Sequence, residues 1–147
     1  MSEHRATVEW QRSGEFRYET YSRSHTIRFE GTSVLGAAAP GNIPKTSKTD
    51  PGVDPEQSFV ASLSACHMLW FLHLACQRKY VVERYVDEAV GVLDKTWISR
   101  VTLRPAVSFS GKKPSAEEHA ELHHRAHEKC FIANSVKTEV VVEPCLK

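Results

Sequence analysis

The chain carries almost no excess of charge, and that absence removes several functions at once. Its 147 residues hold 19 basic and 18 acidic side chains, a formal balance of +1. No basic face is therefore on offer to nucleic acid or to an anionic membrane surface. No apolar signal region follows Met1-Ser2-Glu3-His4-Arg5, which lead straight into polar sequence, so a cytoplasmic protein is the expectation. Cysteine is scarce, four in all, and in an unsecreted chain of this size that is no disulfide framework. There is no Cys-x-x-Cys knuckle, no Gly-x-Ser-x-Gly elbow, no internal repeat and no low-complexity tract beyond Ala37-Ala38-Ala39. Even the most apolar stretch, Phe59 to Cys76, is interrupted by Ser62, Ser64, His67 and His73, each costly in hydrocarbon. A helix buried in protein is the better reading of it than a membrane span. One domain, 1–147, is the natural organisation, long enough to bury a real core.

What is present reads as an α+β layout. Short alternating runs (Ala6-Val8-Trp10, Phe16-Tyr18, Ile27-Phe29) suggest a β-meander over residues 6–30. Residues 31–54, rich in Gly, Ala, Pro, Ser and Lys, read as a long loop, and loops of that length are usually functional or mobile. Asp54-Pro55-Glu56-Gln57 then starts a helix, with Asp54 as N-cap, Pro55 in the first position and Gln57 able to close a capping box. It runs to about Arg78. Strand signals return in Tyr80 to Leu93 and in Val101, Leu103, Val107 and Phe109, where Pro105 argues for an edge or a bulge. Ser115-Ala116-Glu117-Glu118 opens a second helix to about Lys129, and Val136, Thr138, Val140 and Val142 form a last strand. The order is βββ–α–ββ–α–β. The first helix is apolar almost all round, so one sheet can cover only one side of it, and a second subunit is the expected cover.

The chemistry centres on thiols. Cys66 lies midway along the apolar helix, ten residues after Glu56, and Cys130 closes the second helical pattern. That arrangement suggests a peroxidatic and a resolving cysteine. A free thiol titrates near 8.5, so only roughly a few per cent is thiolate at neutral pH, and an apolar setting lowers that fraction. The helix dipole gives no help, because Cys66 is roughly 16 Å from the helix start and the dipole's effect fades within one turn. A reactive Cys66 needs a cation, and Arg17, Arg23 and Arg28 are the candidates, with Glu56 as the carboxylate that orients the chosen one. Glu56 and Cys66 are about 15 Å apart along one helix, so an arginine serves both only if it spans that gap. Against this stands the ordinary fate of a cysteine in an apolar helix, an inert core residue. Cys76 is read that way, and Cys145 as incidental. His67 is read as a hydrogen-bonded core or interface histidine as readily as a base. A zinc site is the rival chemistry, since His119, His123, His127 and Cys130 share one helical stripe, although a helix carrying Glu117, Glu118, Glu121 and Glu128 is usually a solvated face.

The segments Asp54-Pro55-Glu56-Gln57, Ser64-Ala65-Cys66-His67-Met68 and Ala126-His127-Glu128-Lys129-Cys130-Phe131-Ile132-Ala133-Asn134-Ser135-Val136 resemble the OsmC/Ohr family of thiol peroxidases, and the likeness runs from Trp10 to about Pro144. The resemblance implies antiparallel sheets packed on two long helices in an intertwined homodimer, with two active sites at the subunit interface. It implies reduction of organic (alkyl or fatty-acid) hydroperoxides in oxidative-stress defence, through a Cys66 sulfenic acid resolved by Cys130 as a disulfide. No cofactor or metal is implied. A dithiol, lipoyl or thioredoxin-like, is the implied reductant. Glu56 is the arginine-orienting carboxylate, and Tyr21-Ser22-Arg23-Ser24-His25 matches the Tyr-x-Arg-x-His segment of an OsmC-like subgroup, which favours Arg23 over Arg17. Phe59, Met68, Trp70, Phe71 and Phe131 are read as an apolar lining that suits an organic peroxide. The alternative is a non-enzymatic dimeric scaffold of the same fold, or a small-molecule or zinc-binding protein, with Cys66 vestigial.

Overall fold

Backbone alternation at the N-terminus is realised as three strands in the computed structural model, which describes residues 1–145: β1 (Thr7–Glu9), β2 (His25–Phe29) and β3 (Thr32–Gly36), antiparallel in the order β1-β2-β3. By internal packing the chain falls into two compact units, Met1–Ser58 and the remainder from Phe59. In the first unit Phe16-Tyr18 is not a strand. Arg17 O instead accepts from the amides of Thr20 and Tyr21 at 3.0 and 2.9 Å, closing a turn. Nor are residues 31–54 loop throughout, because Gly31 at φ +80° turns the chain straight from β2 into β3. Gly36 ends that strand against His25, whose ring stands where a Cβ would have to go. The segment then returns beside β3 through Ala37 N–H to Val53 O and Val53 N–H to Leu35 O.

Helix α1 (Pro55–Gln77) starts as its cap residues dictate: Gln57 N–H donates to Asp54 Oδ1 at 2.7 Å, and Asp54 N–H to Gln57 Oε1 at 3.1 Å. Four strands follow rather than two: β4 (Val81–Asp87), β5 (Val90–Asp94), β6 (Trp97–Leu103) and β7 (Pro105–Ser110). Both expected strand runs break at one place, where Asp87 Oδ1 accepts from Arg104 N–H, so that β4 pairs with β7 and β5 with β6 in a separate sheet. Pro105 opens β7, the strand position where a missing N–H costs least. Helix α2 (Ala116–Lys129) has its full capping box between Ser115 and Glu118. The last strand, β8 (Glu139–Val142), pairs parallel to β6, so the sheets are not all antiparallel. The chain reaches that edge only by a crossover, as parallel pairing demands, and the crossover contains α2.

Two apolar clusters hold the second unit. Phe71, Leu74 and Ala75 of α1 meet Tyr80, Val107, and Leu122 and Ala126 of α2, while Leu63 meets Val101 and Leu103 of β6. By length and composition α1 could cross a membrane, but its buried face, Leu63, His67, Phe71, Leu74 and Ala75, is spent on this core. The opposite face is open, and Leu69 is 62% exposed.

Candidate active site

Position 66 sits mid-helix on α1 and position 130 caps the C-terminus of α2, where the backbone leaves helical geometry at φ −67°, ψ 108°. The structure brings these two thiols together. Cys130 is 1% exposed, and its Sγ accepts from Ala133 N–H at 3.4 Å. Burial pushes the Cys130 thiol up to about 11, and the adjoining Cys66 thiol acts in the same direction. Cys66 itself is half-buried, and all four cysteines are free. Cys76, read as a core cysteine, is exposed. It falls in the last turn of α1, past the residues that the core covers.

The same two helices also carry a histidine pair. His67, 1% exposed, joins His123 of α2 through Nε2 and Nδ1 at 3.0 Å, with the rings stacked at 5.3 Å. Phe71 covers His123 at 4.3 Å and His119 meets it edge-on at 4.7 Å. Burial holds His67 down to about 4, with help from His127, and His123 down to about 3, with help from His67 and His119. Both rings are neutral at any ordinary pH, so one donates to the other. The His119–His123 stripe thus faces the core rather than solvent. Among the described residues no three His, Cys, Asp or Glu side chains are grouped so as to hold a metal ion.

Arg23 and Glu56 both belong to the first unit. The Arg23 guanidinium lies 4.0 Å over the Tyr21 ring and donates to the carbonyl oxygens of Tyr21 and Tyr18 at 3.2 and 2.8 Å. Its backbone is fixed by Asp50, whose Oδ2 accepts from Arg23 N–H at 2.7 Å and Ser24 N–H at 3.1 Å. Arg17 is paired with Glu15 and Arg28 with Glu9, but no carboxylate among the described residues pairs with Arg23. Oε1 of Glu56 accepts from Asn42 at 3.2 Å, and its Oε2 is buried without a hydrogen-bond partner. Of the expected apolar lining, Phe71 is core, Phe59 packs against the β6 cluster, and Trp70 meets Phe131 edge-on at 5.5 Å.

The segment 47–144 matches the family model described as OsmC-like protein. The chain belongs to the OsmC-like family. It is similar over 99% of its length, at 47% identity and a TM-score of 0.93, to the whole of an OsmC-like protein of unknown function from Vibrio cholerae. Two further solved structures share the fold at low identity. They are an organic hydroperoxide resistance protein from Elizabethkingia anophelis (16% identity, 97% of this chain and 95% of that one, TM-score 0.63) and the organic hydroperoxide resistance protein OhrB of Bacillus subtilis (21%, 97% and 98%, 0.61). No match is found among curated protein sequences.

The pairing of His67 with His123 and the carbonyl clamp on Arg23 were not visible in the sequence. A stripe of histidines at i, i+4 signalled that α2 carried something unusual. Which way the stripe faced depended on the rotation of both helices.

Proposed function

We propose that this OsmC-like protein is a cytoplasmic, homodimeric, cysteine-based peroxidase that reduces organic hydroperoxides. The observation that carries the reading is the juxtaposition of a half-buried thiol on α1 with a buried one at the end of α2. Two structural relatives are named for organic hydroperoxide resistance, which supports the substrate class. The Cys66 thiolate attacks the distal oxygen of ROOH, the O–O bond breaks, and ROH leaves after taking up a proton. Cys66 is then a sulfenic acid, oxidised by two electrons. Cys130 sulfur attacks it, its proton joins the departing hydroxyl, and water leaves a Cys66–Cys130 disulfide. A dithiol reductant, lipoyl or thioredoxin-like, supplies two electrons and two protons to restore both thiols. A resolving thiol held up near 11 stays protonated and unreactive until that attack, so it does not compete for peroxide.

Arg23 supplies the cation and Glu56 orients it. Support comes from the Arg23 guanidinium, which pairs with no carboxylate among the described residues, and from Glu56 Oε2, which finds no donor among them, two deficits that one contact would fill. Arg23→Ala is expected to slow alkylation of Cys66 at pH 6 by about tenfold or more, since one nearby guanidinium is worth roughly a unit of thiol acidity. Glu56→Ala should lower peroxide turnover with a smaller change in alkylation, because it misplaces the arginine but also removes a negative charge. A fall in alkylation in Arg17→Ala but not in Arg23→Ala would transfer the role to Arg17.

The exposed Leu69 and Phe131, 62% and 69%, support a partner against the open face of α1. Sedimentation equilibrium is expected to give a dimer at micromolar concentration, and a stable monomer there overturns it.

The competing reading is a scaffold or small-molecule or zinc-binding protein with idle thiols, favoured by the depth of Cys130. Reduction of cumene hydroperoxide by the purified protein with a dithiol, and recovery of the Cys66–Cys130 disulfide by mass spectrometry, decide between them. No consumption with any thiol, together with slow, uniform alkylation of the cysteines at pH 6, establishes the scaffold.

A further inference from the structure

The paired strands β4 and β7 carry a cavity of about 360 Å³ on the side of their sheet that the core does not use. That size falls in the usual range for small-molecule sites, roughly 300–1,000 Å³. Its shape follows from the alternation of side chains along paired strands. Tyr85 and Val107, opposite one another, pack into the Phe71 cluster. The flanking pairs, Arg84 with Ser108 and Val86 with Ala106, therefore face the other way. Ala106 and Ser108 are short, and among the longer side chains around them they leave a trough. The C-terminal segment raises its far side: Cys145 N–H donates to Pro105 O at 2.9 Å, and the bridge from Cys145 to Ala106 brings residue 145 to the rim.

The two ends of the trough differ in charge. At one end Arg84 pairs with no carboxylate among the described residues, and Ser108 stands directly across from it. The other end lies two residues beyond Val86 and two before Ala106, at Glu88 and Arg104. There the Arg104 charge is offset by Glu143, Nε to Oε2 at 3.6 Å, while Glu88 pairs with no cation among the described residues. A positive end and a negative end are thus joined by the methyl groups of Val86 and Ala106.

We infer that this trough binds a small zwitterion, its carboxylate on Arg84 and Ser108, its ammonium on Glu88 and a short apolar chain across Val86 and Ala106. A guanidinium offers a carboxylate two parallel N–H donors, and Ser108 adds a hydroxyl. An ammonium brings only donors, which suits the acceptor-only Glu88. Strand geometry sets Arg84 and Glu88 roughly 13 Å apart at the backbone, and both side chains are long enough to lean inward, so an amino acid with about five methylene groups between its charges spans the gap. A plain carboxylate leaves Glu88 unmatched, and a plain amine leaves Arg84 unmatched. Exposed ion pairs are worth up to about fivefold in affinity each, so the zwitterion gains by that factor over either.

The test is an NMR titration of the full chain, following backbone amides, with 6-aminohexanoate, hexanoate and hexylammonium as probes. Saturable shifts at the amides of Ala106, Ser108 and Cys145 are expected with 6-aminohexanoate, at a Kd about fivefold below that of either single-charge probe. Arg84→Gln should erase the advantage over hexylammonium, and Glu88→Gln the advantage over hexanoate. Both side chains are exposed, so neither change touches the core. Hexanoate or hexylammonium binding as tightly as 6-aminohexanoate to the wild type overturns the zwitterion site without recourse to any variant, and so does the lack of saturable shifts at these amides. No peroxide enters the experiment and neither Cys66 nor Cys130 takes part, so its result is separate from that of the peroxidase reading.

Discussion

Exchange of Cys66 for serine is expected to abolish turnover of organic hydroperoxides, a loss of at least about a thousandfold, in the range that removal of a nucleophile brings. Serine keeps the volume and the hydrogen-bonding capacity of the site, so the loss is chemical rather than structural. Cys130→Ser should behave differently. The first oxidation needs no second thiol, so one equivalent of peroxide should be consumed at close to the wild-type rate. The Cys66 sulfenic acid then has no adjoining thiol to condense with, and it should accumulate or pass to sulfinic acid under excess peroxide. Mass spectrometry after a short peroxide pulse separates the states: a disulfide in the wild type, an added oxygen or two on Cys66 in Cys130→Ser, and no change at residue 66 in Cys66→Ser. Full activity in Cys66→Ser would sink the thiol mechanism outright.

Local chemistry made parts of this structure legible beforehand. Asp54 with Gln57 and Ser115 with Glu118 are self-contained start signals whose partners lie three residues away, and both helices begin where they say. The two candidate thiols were named by the same logic, because Cys66 in an apolar helix and Cys130 after a histidine-striped one could be read from spacing, and the structure sets them beside each other. What escaped depended on distant partners. The contact between Asp87 and Arg104 splits two strand runs into four strands, and it joins residues far apart in the chain. β3 was hidden because its residues, Thr32–Gly36, pair by backbone within a segment whose composition reads as loop. The clamp on Arg23 is made by the carbonyls of Tyr18 and Tyr21, groups that every residue carries and no sequence pattern marks. Resemblance to a family chose Arg23, whose guanidinium pairs with no carboxylate among the described residues.

The His67–His123 pair should make the fold acid-sensitive well above the range where carboxylates titrate. In the unfolded chain both histidines take up protons near pH 6.5, whereas in the fold burial holds them to about 4 and about 3. Between those limits the unfolded state binds more protons than the folded one, so stability falls as pH falls. The contribution is complete above pH 6.5 and is lost progressively below it. Each histidine costs about 1.4 kcal/mol per pH unit, so the two together remove roughly 4 kcal/mol by pH 5, less whatever is recovered by sharing one proton across the Nε2–Nδ1 bond. That is a large part of the roughly 5–15 kcal/mol that holds a typical domain together. Urea melts at pH 8, 6 and 5 measure it. A double His67→Leu, His123→Leu variant removes both titrations while leaving no orphaned imidazole, so its stability should decline less from pH 8 to pH 5. The remaining histidines are common to both proteins and cancel in the comparison, apart from the mutual repulsion of His119 and His127 with the pair, which the double variant also removes. Equal declines in the two proteins would mean that the pair is not held neutral by burial. A steeper decline in the wild type would show that these two buried rings carry the acid sensitivity.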